Sequence, residues 1–107
     1  MIFLLKHQVS VRNIKAAQDL MRKLYFSKDQ KRGEEKTVLK LVEELGELSE
    51  AVLLNKHDKI SEEIADVIAW TLSVANLYDI NVDEVFNQKY KGVCPECNDC
   101  PCVCESL

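Results

Sequence analysis

Apolar residues recur at three- and four-residue intervals along most of the chain, which indicates helices rather than strands. This spacing predicts four helices, at about residues 10–26, 34–54, 59–78 and 82–91. We expect the first helix to begin near Ser10 and the polar stretch Ser27–Gly33 to connect it to the second. Asp58 and Asn81 are the candidate N-caps of the third and fourth helices. Because the connections are short, neighbouring helices should be antiparallel, and the predicted fold class is all-α.

The third predicted helix is apolar around much of its circumference. The residues responsible are Ile64, Ala65, Val67, Ile68, Ala69 and Leu72. A helix of this kind lies at the centre of its assembly. Because only three other helices are predicted to cover it, we expect homo-oligomerisation, as a homodimer or homotetramer, to complete the helical bundle.

Length and charge narrow the possible functions. A chain of 107 residues forms one domain with a modest core. The net charge of −4 argues against nucleic acid as a partner, because nonspecific binding to phosphates needs a cationic face. The apolar opening MIFLL is far shorter than a signal peptide core or a membrane span, so we expect a cytoplasmic protein without a membrane partner.

Four acids stand at the edge of the predicted core: Glu44, Glu47, Glu63 and Asp66. At about 100° per residue, the first pair flanks the apolar stripe of the second helix, and the second pair repeats that position on the third helix. If the two helices are antiparallel neighbours, the four carboxylates can meet. Most acid pairs at this spacing are solvated or pair with lysines, but two pairs in register favour a functional cluster.

Such a cluster needs cations, because close carboxylates repel one another strongly. Oxygen ligands without nearby His or Cys suit Mg²⁺, or alternatively Mn²⁺. Since Mg²⁺ keeps several waters and often shares substrate phosphates, these residue types indicate a metal site that handles phosphate.

The segments KLVEELGELSEAVL and SEEIADVIAW together resemble the MazG-type nucleotide pyrophosphohydrolases of the all-α NTP pyrophosphatase superfamily. The hallmark of that family is E-x-x-E, a spacer, and then E-x-x-D, and the resemblance extends over about residues 10–91. It implies a four-helix domain, usually dimeric or a dimer of dimers, that hydrolyses nucleoside triphosphates to monophosphate and pyrophosphate with Mg²⁺. It also implies that Glu44, Glu47, Glu63 and Asp66 are the catalytic metal ligands, with Glu47 or Glu44 helping to deprotonate the attacking water.

The resemblance further suggests residues that bind the substrate. The family's N-x-K-[F/Y] segment is matched by Asn87, Lys89 and Tyr90, and Lys89 would contact phosphate. Many members carry an arginine about four residues later, where this chain has Val93.

Two other residues have an ordinary structural interpretation beside the functional one. Trp70 could stack on the nucleobase or belong to the core or an interface, and Lys40 could reach phosphate or pair with an acid on its own helix.

All five cysteines lie between Cys94 and Cys104, in the sequence CPECNDCPCVC. Cys94, Cys97, Cys102 and Cys104 form two pairs that could hold a structural Zn²⁺, with Cys100 either spare or a substitute ligand. Exchanging Cys102 for Cys100 gives instead the spacing of an iron–sulfur site. Disulfides or an unstructured thiol tail are the remaining alternatives.

The sequence therefore predicts a MazG-like domain at residues 1–92 and a cysteine-rich tail at residues 93–107. The favoured function is a Mg²⁺-dependent nucleoside triphosphate pyrophosphohydrolase that removes noncanonical or excess nucleotides. The alternative is a noncatalytic helical module that binds a nucleotide or a protein and carries a zinc-binding tail.

Overall fold

The computed structural model describes residues 12–105, which contain four α-helices and no strand. The helices are α1 at Ile14–Arg32, α2 at Glu34–Leu53, α3 at His57–Leu77 and α4 at Val82–Lys89. The all-α prediction is confirmed. The predicted bounds of the second, third and fourth helices are correct to within two residues, and those of the first helix are not.

The prediction of a polar connection at Ser27–Gly33 is wrong, because α1 continues through this stretch to Arg32. Lysine, glutamine and arginine are good helix formers, so polarity alone does not end a helix. The helix ends where Gly33 takes a φ of 90°, a left-handed value that favours glycine, and donates its N–H to the carbonyl of Asp29. The Ser10 start lies outside the described residues, and the N-cap is Asn13, whose Oδ1 accepts from the Ala16 N–H at 2.8 Å.

Helices α2 and α3 form an antiparallel hairpin across a three-residue connection. Glu47, the later residue on α2, lies near Glu63, the earlier residue on α3, and Glu44 lies near Asp66. The two helices therefore run in opposite directions. Asp58 is not the N-cap of α3, because the helix already begins at His57 and has no side-chain cap. Asp58 instead lies in the first turn, where its charge complements the helix dipole.

Helix α3 is the central element, as predicted, since it packs against both α1 and α2. A buried amide pair joins it to α1: Gln18 Nε2 donates to Asn76 Oδ1 at 3.0 Å, and Asn76 Nδ2 donates back to the Gln18 carbonyl at 3.2 Å. Gln18 also donates to the Ile80 carbonyl and accepts from the Val82 N–H. One glutamine therefore fixes the turn from α3 into α4, which Asn81 caps as predicted.

The core is thin. Among the described residues, the fully buried apolar side chains are Ala51, Leu72 and Ala75. Large apolar residues on α2 and α3 remain exposed, namely Leu39, Val42, Leu45, Val52, Leu53, Ile64 and Ile68. Within residues 12–105, no helix is both long and apolar enough to cross a membrane.

Candidate active site

The α2–α3 hairpin brings carboxylates from both helices together. One oxygen each from Glu44, Glu63 and Asp66 lies within 4.8 Å of the others. Glu44 is half-buried, Glu63 is only 7% exposed, and Asp66 opens to solvent. The helical spacing explains this arrangement, because each acid borders the apolar stripe with which its helix packs against the other helix. The result is a cluster of three acids with one side open.

Two oxygens of this cluster lack a partner. Glu44 Oε2 and Glu63 Oε2 are both buried and make no hydrogen bond with protein groups. A buried carboxylate oxygen without a partner loses its hydration and gains nothing in exchange. Divalent cations prefer such oxygens as ligands, so the donor set fits Mg²⁺ or Mn²⁺.

This arrangement raises the pKa values of Glu44 and Glu63. Burial raises the pKa of Glu63 from its ordinary value of 4.5 to about 7, and the carboxyl groups of Glu44 and Glu47 add to the effect. Burial also raises the pKa of Glu44, with a further contribution from Glu47 and Asp66, while hydrogen bonding with Glu63 acts in the opposite direction. Without a cation, the pair therefore retains a proton well above the pH at which an exposed glutamate loses it.

Glu47 lies beside Glu63 but outside the group of three. It borders a shallow depression that also contains Lys56 and Lys59, at the end of the hairpin. The exposed acids Glu43 and Glu62 point away from the cluster and pair with lysines, as their helical positions predict.

A cavity of about 270 Å³ opens between α1 and α3, and Asp66 lines both this cavity and the acid cluster. Trp70 is part of its wall, and the Arg32 guanidinium lies 4.9 Å from the centre of the indole ring. Lys28 adds a second cation, and Tyr25 a second aromatic ring. A cavity with aromatic and cationic walls beside a group of acids suits a nucleotide bound with its metal.

Arg32 is held in place by buried neighbours. Its Nη1 donates to Asp29 Oδ1 at 2.6 Å and contacts Thr37 Oγ1 at 3.5 Å. Asp29 and Thr37 are almost completely buried, with exposures of 1% and 0%. From the sequence, the basic stretch KDQKRG could form a flexible basic edge to the pocket or a solvated loop. The structure instead places Lys28 and Arg32 on helix α1, where both line the cavity.

The other predicted substrate-binding residues lie apart from this cavity. Lys40 Nζ pairs with Glu43 at 3.4 Å, which is the ordinary structural interpretation for it. Asn87 donates to the carbonyl of Asp83 on its own helix, and the Lys89 ammonium lies 5.6 Å from the centre of the Tyr90 ring. In the described part of the chain, the walls of the cavity come from α1 and α3 rather than from α4.

The tail contains a second cluster. One sulfur from each of Cys94, Cys97, Cys102 and Cys104 lies within 4.8 Å of the others, and Cys100 is exposed outside the group. The backbone N–H groups of Val103 and then Asp99 lower the pKa of Cys97 to about 6. Hydrogen bonds with the neighbouring thiols raise the pKa of Cys104 to about 11.

The family model of the MazG nucleotide pyrophosphohydrolase domain matches residues 32–98, well over half of the chain. The chain therefore belongs to the MazG family, whose name indicates nucleotide pyrophosphohydrolase activity in general. The match includes both helices of the acid cluster and ends within the cysteine tail. No curated protein shows a significant match to the chain.

Proposed function

We propose that this protein is a Mg²⁺-dependent pyrophosphohydrolase that cleaves nucleoside triphosphates to monophosphate and pyrophosphate. The observation that carries the proposal is the pair of buried, unpartnered oxygens on Glu44 and Glu63, with Asp66 beside them. A fold that keeps two carboxyl groups desolvated and close together loses stability unless a cation binds them. Membership of the MazG family supports the class of reaction, and the acid cluster supports the location of the active site.

Glu44, Glu63 and Asp66 would hold Mg²⁺, with Mn²⁺ as a substitute, and Glu47 would complete the set. When bound, the metal neutralises charge on the polyphosphate and makes water more acidic. The chain itself supplies a fixed set of oxygens on two helices, which requires little rearrangement when substrate arrives.

Glu47 is our candidate for accepting the proton of the attacking water. It lies next to Glu63 yet outside the group of three, and its carboxylate faces solvent. A general base must reach both the water and bulk solvent, since it has to release the proton after each turnover. Hydrolysis between the α- and β-phosphates would place the reacting phosphorus near this side of the cluster.

The cavity between α1 and α3 would hold the nucleoside. Asp66 borders both the cavity and the acids, so a nucleotide lying in the cavity would extend its phosphates toward the cluster. The base would join the stack of Arg32 and Trp70 or displace Arg32 from it, and in both cases the indole contacts the base. Lys28, which also lines the cavity, would balance phosphate charge.

A second copy of this chain is the proposed partner. Helices α2 and α3 expose many large apolar side chains, whereas the described residues bury three apolar side chains. An apolar surface of this extent on a small domain marks a site of protein association. A homodimer, or a homotetramer of two such dimers, would cover this surface. Lys40, Asn87 and Lys89 remain proposed substrate-binding residues, because an assembly could bring them to a neighbouring site.

The decisive experiment is a pyrophosphate-release assay with a panel of ribo- and deoxyribonucleoside triphosphates, phosphoribosyl-ATP included, in the presence and absence of Mg²⁺. We expect metal-dependent release of pyrophosphate and monophosphate from at least one substrate. Nucleotide binding without hydrolysis, under conditions where the protein is folded and loaded with Mg²⁺, would favour the noncatalytic module instead.

A further inference from the structure

We infer that the cysteine tail is a structural zinc site, in which Cys94, Cys97, Cys102 and Cys104 hold one Zn²⁺ as a closed tetrahedral set. This site is separate from the hydrolase proposal, because none of its ligands belongs to the acid cluster or to the cavity between α1 and α3.

The sulfur positions match the size of one zinc ion. A Zn–S bond of about 2.3 Å places the four sulfurs of a tetrahedral site about 3.8 Å apart. The Sγ atoms of Cys94 and Cys104 are 3.9 Å apart, and all four sulfurs lie within 4.8 Å of one another. Residues separated by up to ten positions thus converge on a space of the size that one ion occupies.

The backbone forms a frame around these sulfurs. The Asn98 N–H donates to the Cys94 carbonyl at 2.8 Å, and the Cys94 N–H donates to the Asp99 carbonyl at 3.0 Å. Asn98 has a left-handed φ of 61°, a conformation that asparagine adopts more readily than most residues. These bonds close the first pair of cysteines into a tight turn and direct both side chains to the same side.

Backbone N–H groups also point at the sulfurs. The Val103 N–H donates to Cys97 Sγ at 3.5 Å, and the Cys104 N–H donates to Cys102 Sγ at 3.3 Å. Such bonds offset the negative charge of metal-bound thiolates and orient them, which is the role of the outer ligand shell in metal sites. A thiol tail without a ligand has no need of this arrangement.

The placement of Cys100 separates zinc from the alternatives. The iron–sulfur spacing uses Cys100 and omits Cys102, whereas the structure includes Cys102 in the sulfur cluster and leaves Cys100 outside it. Disulfides would pair the cysteines two by two, whereas four sulfurs form one group here. Because all four positions are protein ligands, the site has no open coordination position and is structural rather than catalytic.

The test uses the full chain, purified under reducing conditions without chelator, and measures metal content by elemental analysis. We expect about one zinc per chain and little iron. Replacing zinc with Co²⁺ should give the visible absorption of tetrahedral thiolate coordination. Cys97→Ser and Cys102→Ser should each lose most of the zinc, whereas the matched control Cys100→Ser should retain it.

Several results would overturn the inference. Iron with acid-labile sulfide would identify an iron–sulfur site, and loss of zinc from C100S but not from C102S would show that the proposed set of four ligands is wrong. Reduced wild-type protein that stays metal-free when Zn²⁺ is supplied would exclude a metal site altogether. Circular dichroism of each variant checks that its helices persist, and the cobalt spectrum of the wild type decides the question if they do not. The zinc measurement is independent of pyrophosphate release, so failure of either proposal leaves the other intact.

Discussion

Glu44 on α2 and Glu63 on α3 approach each other across the hairpin, and each keeps one buried oxygen that accepts no hydrogen bond. Two carboxyl groups in this position destabilise the metal-free fold, because burial disfavours their charge and each disfavours the charge of the other. The same pair would become favourable once a divalent cation binds. The site therefore predicts opposite effects on stability and on activity when one acid is neutralised.

Glu63→Gln should remove most of the pyrophosphohydrolase activity, about a hundredfold or more, and raise the thermal unfolding midpoint of the metal-free protein at pH 8. Glutamine keeps the shape of the protonated acid but cannot ionise or bind Mg²⁺ strongly. Differential scanning fluorimetry with and without Mg²⁺ measures the stability, and pyrophosphate release measures the activity. The matched control is Glu62→Gln, an exposed neighbour paired with Lys59, which should change neither quantity much. Full activity in E63Q would remove Glu63 from the site.

The raised pKa of Glu63 predicts how stability depends on pH without metal. Well below pH 4.5 the carboxyl is neutral in both folded and unfolded chains, so no penalty exists there. Between pH 4.5 and about 7 the unfolded chain releases the proton more readily than the folded one, so stability falls as the pH rises. Burial raises the pKa of Glu44 as well, which acts in the same direction.

Magnesium should reverse this trend, because protons compete with the metal for the same oxygens. We expect Mg²⁺ affinity, measured by isothermal titration calorimetry, to strengthen across the interval from pH 5 to 7, and the unfolding midpoint with saturating Mg²⁺ to vary much less with pH. E63Q should show a weaker pH dependence in the absence of metal. A metal-free midpoint that rises from pH 5 to 8 would contradict the raised pKa of Glu63.

The sequence predicted the acid cluster because helical geometry relates spacing to direction: E-x-x-E and E-x-x-D each place two acids beside an apolar stripe. The corner around Asp29 and Arg32 could not be predicted in this way. Its ion pair joins Asp29 and Arg32 three residues apart on α1, a spacing that is usual on exposed helix faces. An ion pair leaves no apolar period that would reveal the burial of Asp29. A helical-wheel projection also does not show that Glu47 lies outside the group of three acids and that Glu44 lies inside it.

We predict that Trp70 contacts the base of the bound nucleotide. Because it is the only tryptophan in the sequence, its fluorescence can report that binding. Trp70→Ala should raise KM about tenfold and change kcat much less, because base stacking contributes roughly 1–3 kcal/mol to binding. In the wild type, nucleotide binding should change the tryptophan fluorescence. The matched control is Tyr78→Ala, which removes an exposed aromatic ring outside the cavity and should leave KM unchanged. Unaltered fluorescence at saturating nucleotide would assign Trp70 to packing alone.

Gln18 predicts a stability effect with no direct role in chemistry. Gln18→Ala removes a hydrogen-bond partner from each of three groups: Asn76 Oδ1, the Ile80 carbonyl and the Val82 N–H. Unsatisfied buried polar groups cost about 1–3 kcal/mol each, and partial hydration should limit the total to about 2–4 kcal/mol. Urea unfolding measures this loss. Gln30→Ala, at an exposed position of the same helix, is the control and should stay within about 0.5 kcal/mol of wild type.

The apolar surface of α2 and α3 predicts the assembly. Leu45 and Ile68 are both about half exposed on helices that otherwise have few buried apolar side chains. If a second copy covers them, Leu45→Asp and Ile68→Asp should shift sedimentation from dimer or tetramer toward monomer, because an interface excludes an unpaired charge. Val103→Asp is the matched control, since that exposed apolar residue belongs to the tail. A wild-type protein that sediments as a monomer at high concentration would instead show that α2 and α3 tolerate this exposure without a partner.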